Sequence, residues 1–206
     1  DGRPYLNSVE EARAITFQTP PPLRVEEVSI ESSVNRILAR DLASKVNDPP
    51  FDNSAMDGFA CRHDANATYP RTMDIVGIQA ASGANENIEV MDGQAVRIMT
   101  GAPMPPGTDA ILPVERCTVE GQHVVFTEAP KPHFVRRKGE NLEAGAVALT
   151  KGMQLTPSRV GLCATMGHAT VPVYRRLRVG IVSTGDELKS PGEPLKHGEI
   201  YESNSF

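Results

Sequence analysis

The chain has 206 residues, of which 39% are hydrophobic and 23% are charged, with 17 glycines and 17 prolines. This length suffices for one large domain or two small ones, and the glycine and proline content favours short strands and turns over a helical bundle. The formal net charge of -5 disfavours a nucleic-acid partner, because neutralising phosphates requires a basic surface.

The three cysteines are Cys61, Cys117 and Cys163. They are odd in number and far apart, so they form neither a CxxC pair nor a disulfide framework, and a reducing compartment is expected. No apolar run approaches the length of a membrane span, and the first residues do not have the pattern of a signal peptide. The sequence therefore predicts a soluble, cytoplasmic protein with no membrane partner.

The first predicted element is a helix that begins at a capping box. Ser8 can accept from the third helical N–H while Glu11 reaches back, and the helix should run to about Phe17 before the three prolines 20–22. Alternating residues then predict strands over 23–28 and 37–42. Between them a brief helical turn should end near Asn35, a residue type that tolerates the left-handed conformation.

The middle of the chain, from about residue 49 to 142, is predicted to be mostly β-structure with long loops. Short apolar runs alternate there with clusters of glycine, proline and asparagine. The predicted strands cover residues 74–78, 95–99 and 110–114, and a hairpin joins 117–119 to 123–127.

The last third begins with a predicted helix that has Thr156 as N-cap, Pro157 in its first turn and Gly167 at its end. Its buried face should comprise Val160, Cys163, Ala164 and Met166. A strand over 169–173 follows, and then an apolar run over 177–182 that leads into a polar loop. This run has the pattern of the first strand of an α/β domain, whose ligands bind at the carboxyl ends of the strands. Because the 30 residues from Leu177 to Phe206 are too few for a parallel sheet, we expect only the beginning of that domain.

The segment from Pro50 to Ala60 has the highest density of side chains that could bind a ligand. Its residues are turn formers, so one interpretation is an elaborate loop between two β elements. However, two carboxylates, an amide and a hydroxyl fall between Asp52 and Asp57, beside small residues that permit close approach. Such a set suits a cation or a phosphate group.

This segment resembles the signature of the molybdopterin molybdenumtransferases, the family that includes bacterial MoeA and the E domain of gephyrin. Three further segments match in the same order: 97–103, 135–141 and 182–188. The resemblance covers essentially the whole chain and implies an α+β multidomain protein. It also implies a magnesium-dependent enzyme that inserts molybdate into adenylylated molybdopterin and releases AMP. Mg²⁺ is the implied cofactor, because it would neutralise charge on the substrate phosphates.

The resemblance assigns catalytic positions to Asp57, Thr100 and Glu187, with Asp57 and Glu187 as the metal ligands. Family members usually have an aspartate where this chain has Asn141, which keeps an acceptor oxygen but lacks the charge. Asn141 is therefore assigned to substrate and not to metal. The positions assigned to substrate binding are Asn53, Ser54, Arg137, Asn141, Ser183, Thr184, Gly185 and Asp186.

Each assignment has a purely structural alternative. Asp57 could cap the turn before Gly58, and Thr100 could be an ordinary hydroxyl at the end of a strand. The 186–187 pair and the 136–138 run could be solvated charges rather than contacts to a ligand. The histidines lack the spacing of metal ligands, so none is assigned to metal.

The resemblance also implies the domain organisation and the partners. Domain I comprises residues 1–46 and 146–176, domain II is the β-rich insertion 47–145, and residues 177–206 begin the molybdopterin-binding α/β domain III. Family members are homodimers whose active site lies between domain II of one subunit and domain III of its partner, so the 206 residues alone should be inactive. The molybdopterin adenylyltransferase is a candidate partner. Two alternatives stay open: a gephyrin-like scaffold, and a catalytically silent paralogue that only dimerises, which Asn141 would be consistent with.

Overall fold

A computed structural model describes residues 8–18, 20–82 and 88–206. The chain is an α+β protein with few helices, and its described α-helices are α1 (Val9–Gln18) and α2 (Pro157–Thr165). The described strands are β1 (Val25–Ser29), β2 (Leu42–Ala43), β3 (Asn53–Ser54), β4 (Gly58–Cys61), β5 (Arg71–Gln79), β6 (Gln94–Ile98), β7 (Ala110–Pro113), β8 (Cys117–Glu120), β9 (His123–Phe126), β10 (Val135–Arg136), β11 (Val147–Leu149), β12 (Thr170–Tyr174), β13 (Leu188–Lys189) and β14 (Ile200–Tyr201). Neither described helix has the length and apolar character that crossing a bilayer requires.

Spatial contacts divide the chain into two compact units. One comprises Val25–Val173, and the other comprises Asp1–Arg24 together with Tyr174–Phe206. In the second unit the described elements are α1, whose side chains are exposed throughout, and a parallel pair formed by β13 and β14.

A six-stranded sheet dominates the Val25–Val173 unit, in the order β7-β4-β6-β5-β9-β8. Its neighbouring strands are antiparallel except β5 and β6, which run parallel. Both faces of β4 and β7 are buried. Phe59 and Cys61 of β4 pack into one apolar cluster, and Ala60 between them packs into another. This explains why these strands read as continuous apolar runs rather than as alternating ones.

A separate apolar core lies in the same unit and is built from two distant stretches of the chain. Leu38 and Leu42 come from the first stretch, and residues from Leu149 to Val173 complete the core. Small two-stranded sheets, β1 with β12 and β2 with β11, join the two stretches. The chain leaves this core and returns to it at one place, where Asp48 bridges Leu142 and the Gly139 N–H donates to the Pro49 carbonyl at 2.9 Å.

The predicted caps of the two helices and the predicted left-handed residue are confirmed. The Glu11 N–H donates to the Ser8 Oγ at 3.1 Å, and the Ser8 N–H donates to the Glu11 carboxylate at 2.7 Å, so the capping box forms. Thr156 caps α2 by accepting from the Arg159 N–H. Asn35 adopts the left-handed conformation with a φ of 64°.

Three expectations about single elements were wrong. Residues 37–42 form no continuous strand, because Ile37 bridges Gln154 while Leu38 bridges Val173, and a ladder requires one constant partner. Ala164 of α2 is exposed, and Cys163 and Met166 carry the buried face. The run 177–182 belongs to no described strand. Its side chains are exposed, to 85% at Val182, because no described segment forms a ladder with it.

Candidate functional site

Three of the four segments that carry the family resemblance meet around β3 in the Val25–Val173 unit. Strand β3 pairs with β10, so that Asn53 lies opposite Arg136. On its other side Ser54 donates its N–H to the Ala102 carbonyl at 3.0 Å, and its own carbonyl accepts from the Gly101 N–H at 2.8 Å. The segments 50–60, 97–103 and 135–141 therefore form one loop cluster at the end of the six-stranded sheet.

Asp57 and Thr100 make the central contact of this cluster. The Oδ1 atom of Asp57 accepts from the Thr100 N–H and from the Thr100 hydroxyl, each at 2.7 Å. These bonds lower the pKa of Asp57, the backbone N–H most and the hydroxyl next, and Arg97 adds a weaker electrostatic effect. The contact joins residues 43 positions apart. These side-chain bonds of Asp57 are therefore long-range, unlike those of the local turn cap that was its structural alternative.

The charge of Asp57 fixes the direction of the hydrogen bond. An ionised carboxylate can only accept, so the Thr100 hydroxyl proton points to Asp57. The lone pairs of the Thr100 oxygen are left for another group. Among the described residues no donor bonds the second carboxylate oxygen of Asp57, which is exposed. The cluster thus offers two oxygen acceptors side by side.

Small residues and backbone bonds hold Asp57 and Thr100 in place. A Cβ at Gly58 would lie 2.2 Å from the Leu112 carbonyl oxygen, so only glycine allows β4 and β7 to approach this closely. Gly101 has a φ of 81° in the turn that follows Thr100. The Ser54 hydroxyl donates to the Met56 carbonyl at 2.5 Å and thereby shapes the turn before Asp57.

Asp52 binds two basic residues of the loop cluster. Its carboxylate accepts from the Lys138 N–H at 2.8 Å and from the Arg137 guanidinium at 2.7 Å. The Lys138 N–H and then Arg137 are the main causes that lower the pKa of Asp52. Arg137 thus forms an ion pair with Asp52, although its side chain remains 57% exposed. The guanidinium has further N–H groups that can bind an anion.

Three of the predicted substrate-binding residues lie away from the Asp57–Thr100 contact or below the surface, and one of them is Ser54, which is fully buried. The Asn141 side chain donates to the Asp48 carboxylate at 3.2 Å, and no described contact joins Asn141 to Asp57 or Thr100. An aspartate at this position would place a second carboxylate against Asp48. Asn53 is only 7% exposed, and its Oδ1 atom has no hydrogen-bond partner among the described residues.

The remaining predicted residues lie in a loop of the other compact unit. The Leu188 N–H donates to the Gly185 carbonyl at 3.2 Å and closes a turn, and Thr184, Asp186 and Glu187 are exposed on it. A Cβ at Gly185 would lie 2.6 Å from a carboxylate oxygen of Glu187, so Glu187 folds back over the glycine. The Ser183 hydroxyl donates to the Glu202 carboxylate at 2.7 Å.

Sequence reasoning gave no role to four residues that shape these two loops: Asp48, Asp52, Arg97 and Glu202. Asp52 lies inside the Pro50–Ala60 segment, so the segment itself was a signal. Arg97 likewise lies inside a matched segment, 97–103. Asp48 and Glu202 are distant in sequence from the groups they contact, and no spacing pattern indicates them.

The exposed carboxylates of Asp57 and Glu187 fit the oxygen donors that Mg²⁺ prefers. Within the described part of the chain no group of three or more histidine, cysteine or acidic side chains could hold a metal ion. Magnesium does not require such a cage, since it commonly binds one or two carboxylates together with water and substrate phosphates.

Comparison with known proteins gives the family. The model of the MoeA N-terminal region (domains I and II) matches residues 7–167. A molybdopterin molybdenumtransferase of Haemophilus influenzae is 42% identical over 202 residues, which cover 97% of this chain and 50% of the relative. The molybdopterin molybdenumtransferase 2 of Mycobacterium tuberculosis is 38% identical and is matched over 98% of this chain and 51% of its own length. The chain belongs to the MoeA family.

Solved structures agree with this. A molybdopterin biosynthesis MoeA protein from Pyrococcus horikoshii superposes with a TM-score of 0.79 at 32% identity, over 88% of this chain and 50% of that one. The chain spans about half the length of the curated relatives it matches.

Proposed function

We propose that the protein inserts molybdate into adenylylated molybdopterin and releases AMP, as one step of molybdenum cofactor biosynthesis. The observation that carries this proposal is the Asp57–Thr100 contact, which joins two separate family segments around an exposed, ionised carboxylate. The names of the relatives support the same chemistry, since they are molybdopterin molybdenumtransferases.

The proposed roles follow from the atoms that each residue presents. Asp57 and Glu187 are the proposed ligands of Mg²⁺, which when bound would neutralise charge on the substrate phosphates. Thr100 accepts a hydrogen bond and so orients a water molecule, because its own proton is donated to Asp57. Arg137, held by Asp52, binds a phosphate oxygen through its remaining N–H groups.

The proposal also covers the oligomeric state, the compartment and the source of the substrate. The protein acts as a homodimer in the cytoplasm, and the molybdopterin adenylyltransferase supplies the adenylylated substrate. The described cysteines are free thiols, and Cys61 and Cys163 are buried, which suits a reducing compartment. The other proposed substrate contacts are the predicted residues that are partly or fully exposed: Asn141, Ser183, Thr184, Gly185 and Asp186.

The test measures molybdate-dependent release of AMP by the full-length protein and its Asp57→Ala variant. Removing the carboxylate removes a proposed metal ligand, so AMP release should fall at least about a hundredfold while sedimentation still shows the dimer. Asp74→Ala is the matched control, since Asp74 is an exposed aspartate of β5 paired with His123. Near-normal activity of Asp57→Ala would contradict the metal role. Activity that appears only after Asn141→Asp would instead support the silent paralogue.

A further inference from the structure

Four arginines line one cleft in the unit that contains β13 and β14. The cleft has a volume of about 200 Å³, and its lining residues come from two short stretches, 21–24 and 175–178. The stretches lie side by side, because the Arg175 N–H donates to the Arg24 carbonyl at 2.7 Å. We call this site the arginine cleft, and its arginines are Arg24, Arg175, Arg176 and Arg178.

The guanidinium groups of the arginine cleft have no acidic partner among the described residues. The described arginines that do form ion pairs are Arg36, Arg71, Arg116 and Arg137. Like charges on neighbouring backbones repel each other, so the pairing of Arg24 with Arg175 is electrostatically unfavourable by itself. The chain as a whole has a net charge of -5, so a general excess of basic residues does not account for the cluster. A bound anion would offset the repulsion.

The size and the charge of the cleft favour a compact anion with two phosphate groups. A cleft of about 200 Å³ is smaller than the pockets that enclose a drug-sized molecule, so it suits one charged group of a ligand. A phosphate group carries about two negative charges, so four guanidinium groups balance about two phosphates. The planar guanidinium fork also matches phosphate oxygens in geometry.

The prolines of the cleft disfavour an acidic peptide as its occupant. A peptide that adds to a backbone edge as a strand needs free N–H donors, and Pro21 and Pro22 have none. The Arg175 N–H is already used in the bond to Arg24. The proline rings and Leu23 provide an apolar wall instead, along which the methylene stems of the arginines can lie.

We propose that the arginine cleft binds a small molecule through a diphosphate group. The guanidinium groups donate to the phosphate oxygens, and each can form two parallel hydrogen bonds to one phosphate. The cleft shares no residue with the loop cluster around Asp57 or with the 183–188 loop. The proposal therefore goes beyond the proposed function and does not depend on it.

The experiment treats the full-length protein with phenylglyoxal, which modifies arginines, with and without inorganic pyrophosphate, and quantifies the modified peptides by mass spectrometry. Pyrophosphate should slow the modification of Arg24 and Arg175 at least about fivefold, since the bound anion occupies their N–H groups. Arg62 is the internal control, because it is exposed and does not line the cleft. Its rate should change less than about twofold, since a free anion in solution only screens it.

Calorimetry with matched variants measures the contribution of one guanidinium to the affinity. Arg175→Gln removes a charge but keeps the backbone bond to Arg24, so pyrophosphate binding should weaken about five- to tenfold at low salt. Arg175→Lys keeps the charge but not the paired donors, so it should recover only part of the loss. Arg62→Gln removes the same charge outside the cleft and should bind pyrophosphate as the parent does.

The same measurements can contradict the proposal. Protection of Arg137 without protection of Arg24 and Arg175 would assign the anion to the loop cluster and overturn it. Equal protection by orthophosphate at the same concentration, or stronger protection by a hexaglutamate peptide, would overturn the diphosphate assignment. If Arg175→Gln fails to fold by circular dichroism, the protection experiment on the unaltered protein decides. Neither measurement involves AMP release, so this proposal and the proposed function fail independently.

Discussion

Thr100 sets the protonation of Asp57 through two donors of unequal weight. Thr100→Val removes the hydroxyl but keeps the backbone N–H, which is the larger cause of the lowered pKa. We therefore expect the pKa of Asp57 to rise in Thr100→Val but to stay below its ordinary value. Thr100→Ser should restore it. Carboxyl-detected NMR titration of aspartate-labelled protein measures both, and an unchanged pKa in Thr100→Val would show that the hydroxyl donates elsewhere.

The sequence supplied the residues of this contact but not the contact itself. Asp57 and Thr100 could be singled out because they lie in segments that resemble a known family. Asp52 with Arg137, and Ser183 with Glu202, are 85 and 19 residues apart and meet only because the chain folds. No local pattern encodes such distances, which is why these two contacts became visible only in the structure.

At the scale of elements, Gly58 determines how closely β4 and β7 can pair. An added Cβ would meet backbone atoms of Leu112 and Pro113, which cannot rotate away as a side chain could. Gly58→Ala should therefore lower the free energy of unfolding by about 1–3 kcal/mol, measured by urea denaturation. Gly161→Ala is the control, because a Cβ there meets nothing within 4 Å and alanine favours the α2 helix. Equal stability of Gly58→Ala and the parent would show that the strands can separate freely.

The Asp52 carboxylate links the loop before β3 to the segment after β10 and should make stability depend on pH. Its pKa is lowered in the folded state, so its contribution is complete above the ordinary carboxyl pKa, about 4, and is lost as pH falls through the lowered value. In Asp52→Asn the urea midpoint should consequently fall less between pH 7 and pH 3 than in the parent. Parallel curves for the two proteins would contradict this linkage.

Elements fixed by neighbouring residues could be read from the sequence, and elements fixed by distant partners could not. The caps of α1 and α2 and the 117–126 hairpin depend on contacts within a few residues, and they form as expected. The run 177–182 has the composition of a buried strand, but composition supplies no ladder partner. Residues 37–42 fail as a strand for the same reason, since their partners change from residue to residue.

At the scale of the molecule, two separate cores give each buried cysteine a different environment. Cys163 lies in the core built around Leu155, and Cys61 lies in a core of the six-stranded sheet, where burial raises its pKa to about 12. Leu155→Ala should cost about 2–5 kcal/mol in its own core. We expect it to lower the urea concentration at which Cys163 becomes alkylated more than that for Cys61.

The reverse variant provides the control for this prediction. Leu112 packs in the cluster that contains Cys61, so Leu112→Ala should shift Cys61 alkylation more than Cys163 alkylation. Mass spectrometry of alkylated peptides measures both thiols in one sample. Equal shifts in both variants would mean that the two cores unfold as a single cooperative unit.

The bridge between Asp48 and Leu142, with the Ala144 N–H donating to the Asn47 side chain at 2.9 Å, brings the start and the end of the β-rich stretch side by side. Because the two ends of this stretch are adjacent, a hairpin loop of two residues can join them without moving Leu38 or Leu155. The β-rich stretch can therefore be lengthened, shortened or exchanged while the core around Leu38 and Leu155 keeps its shape.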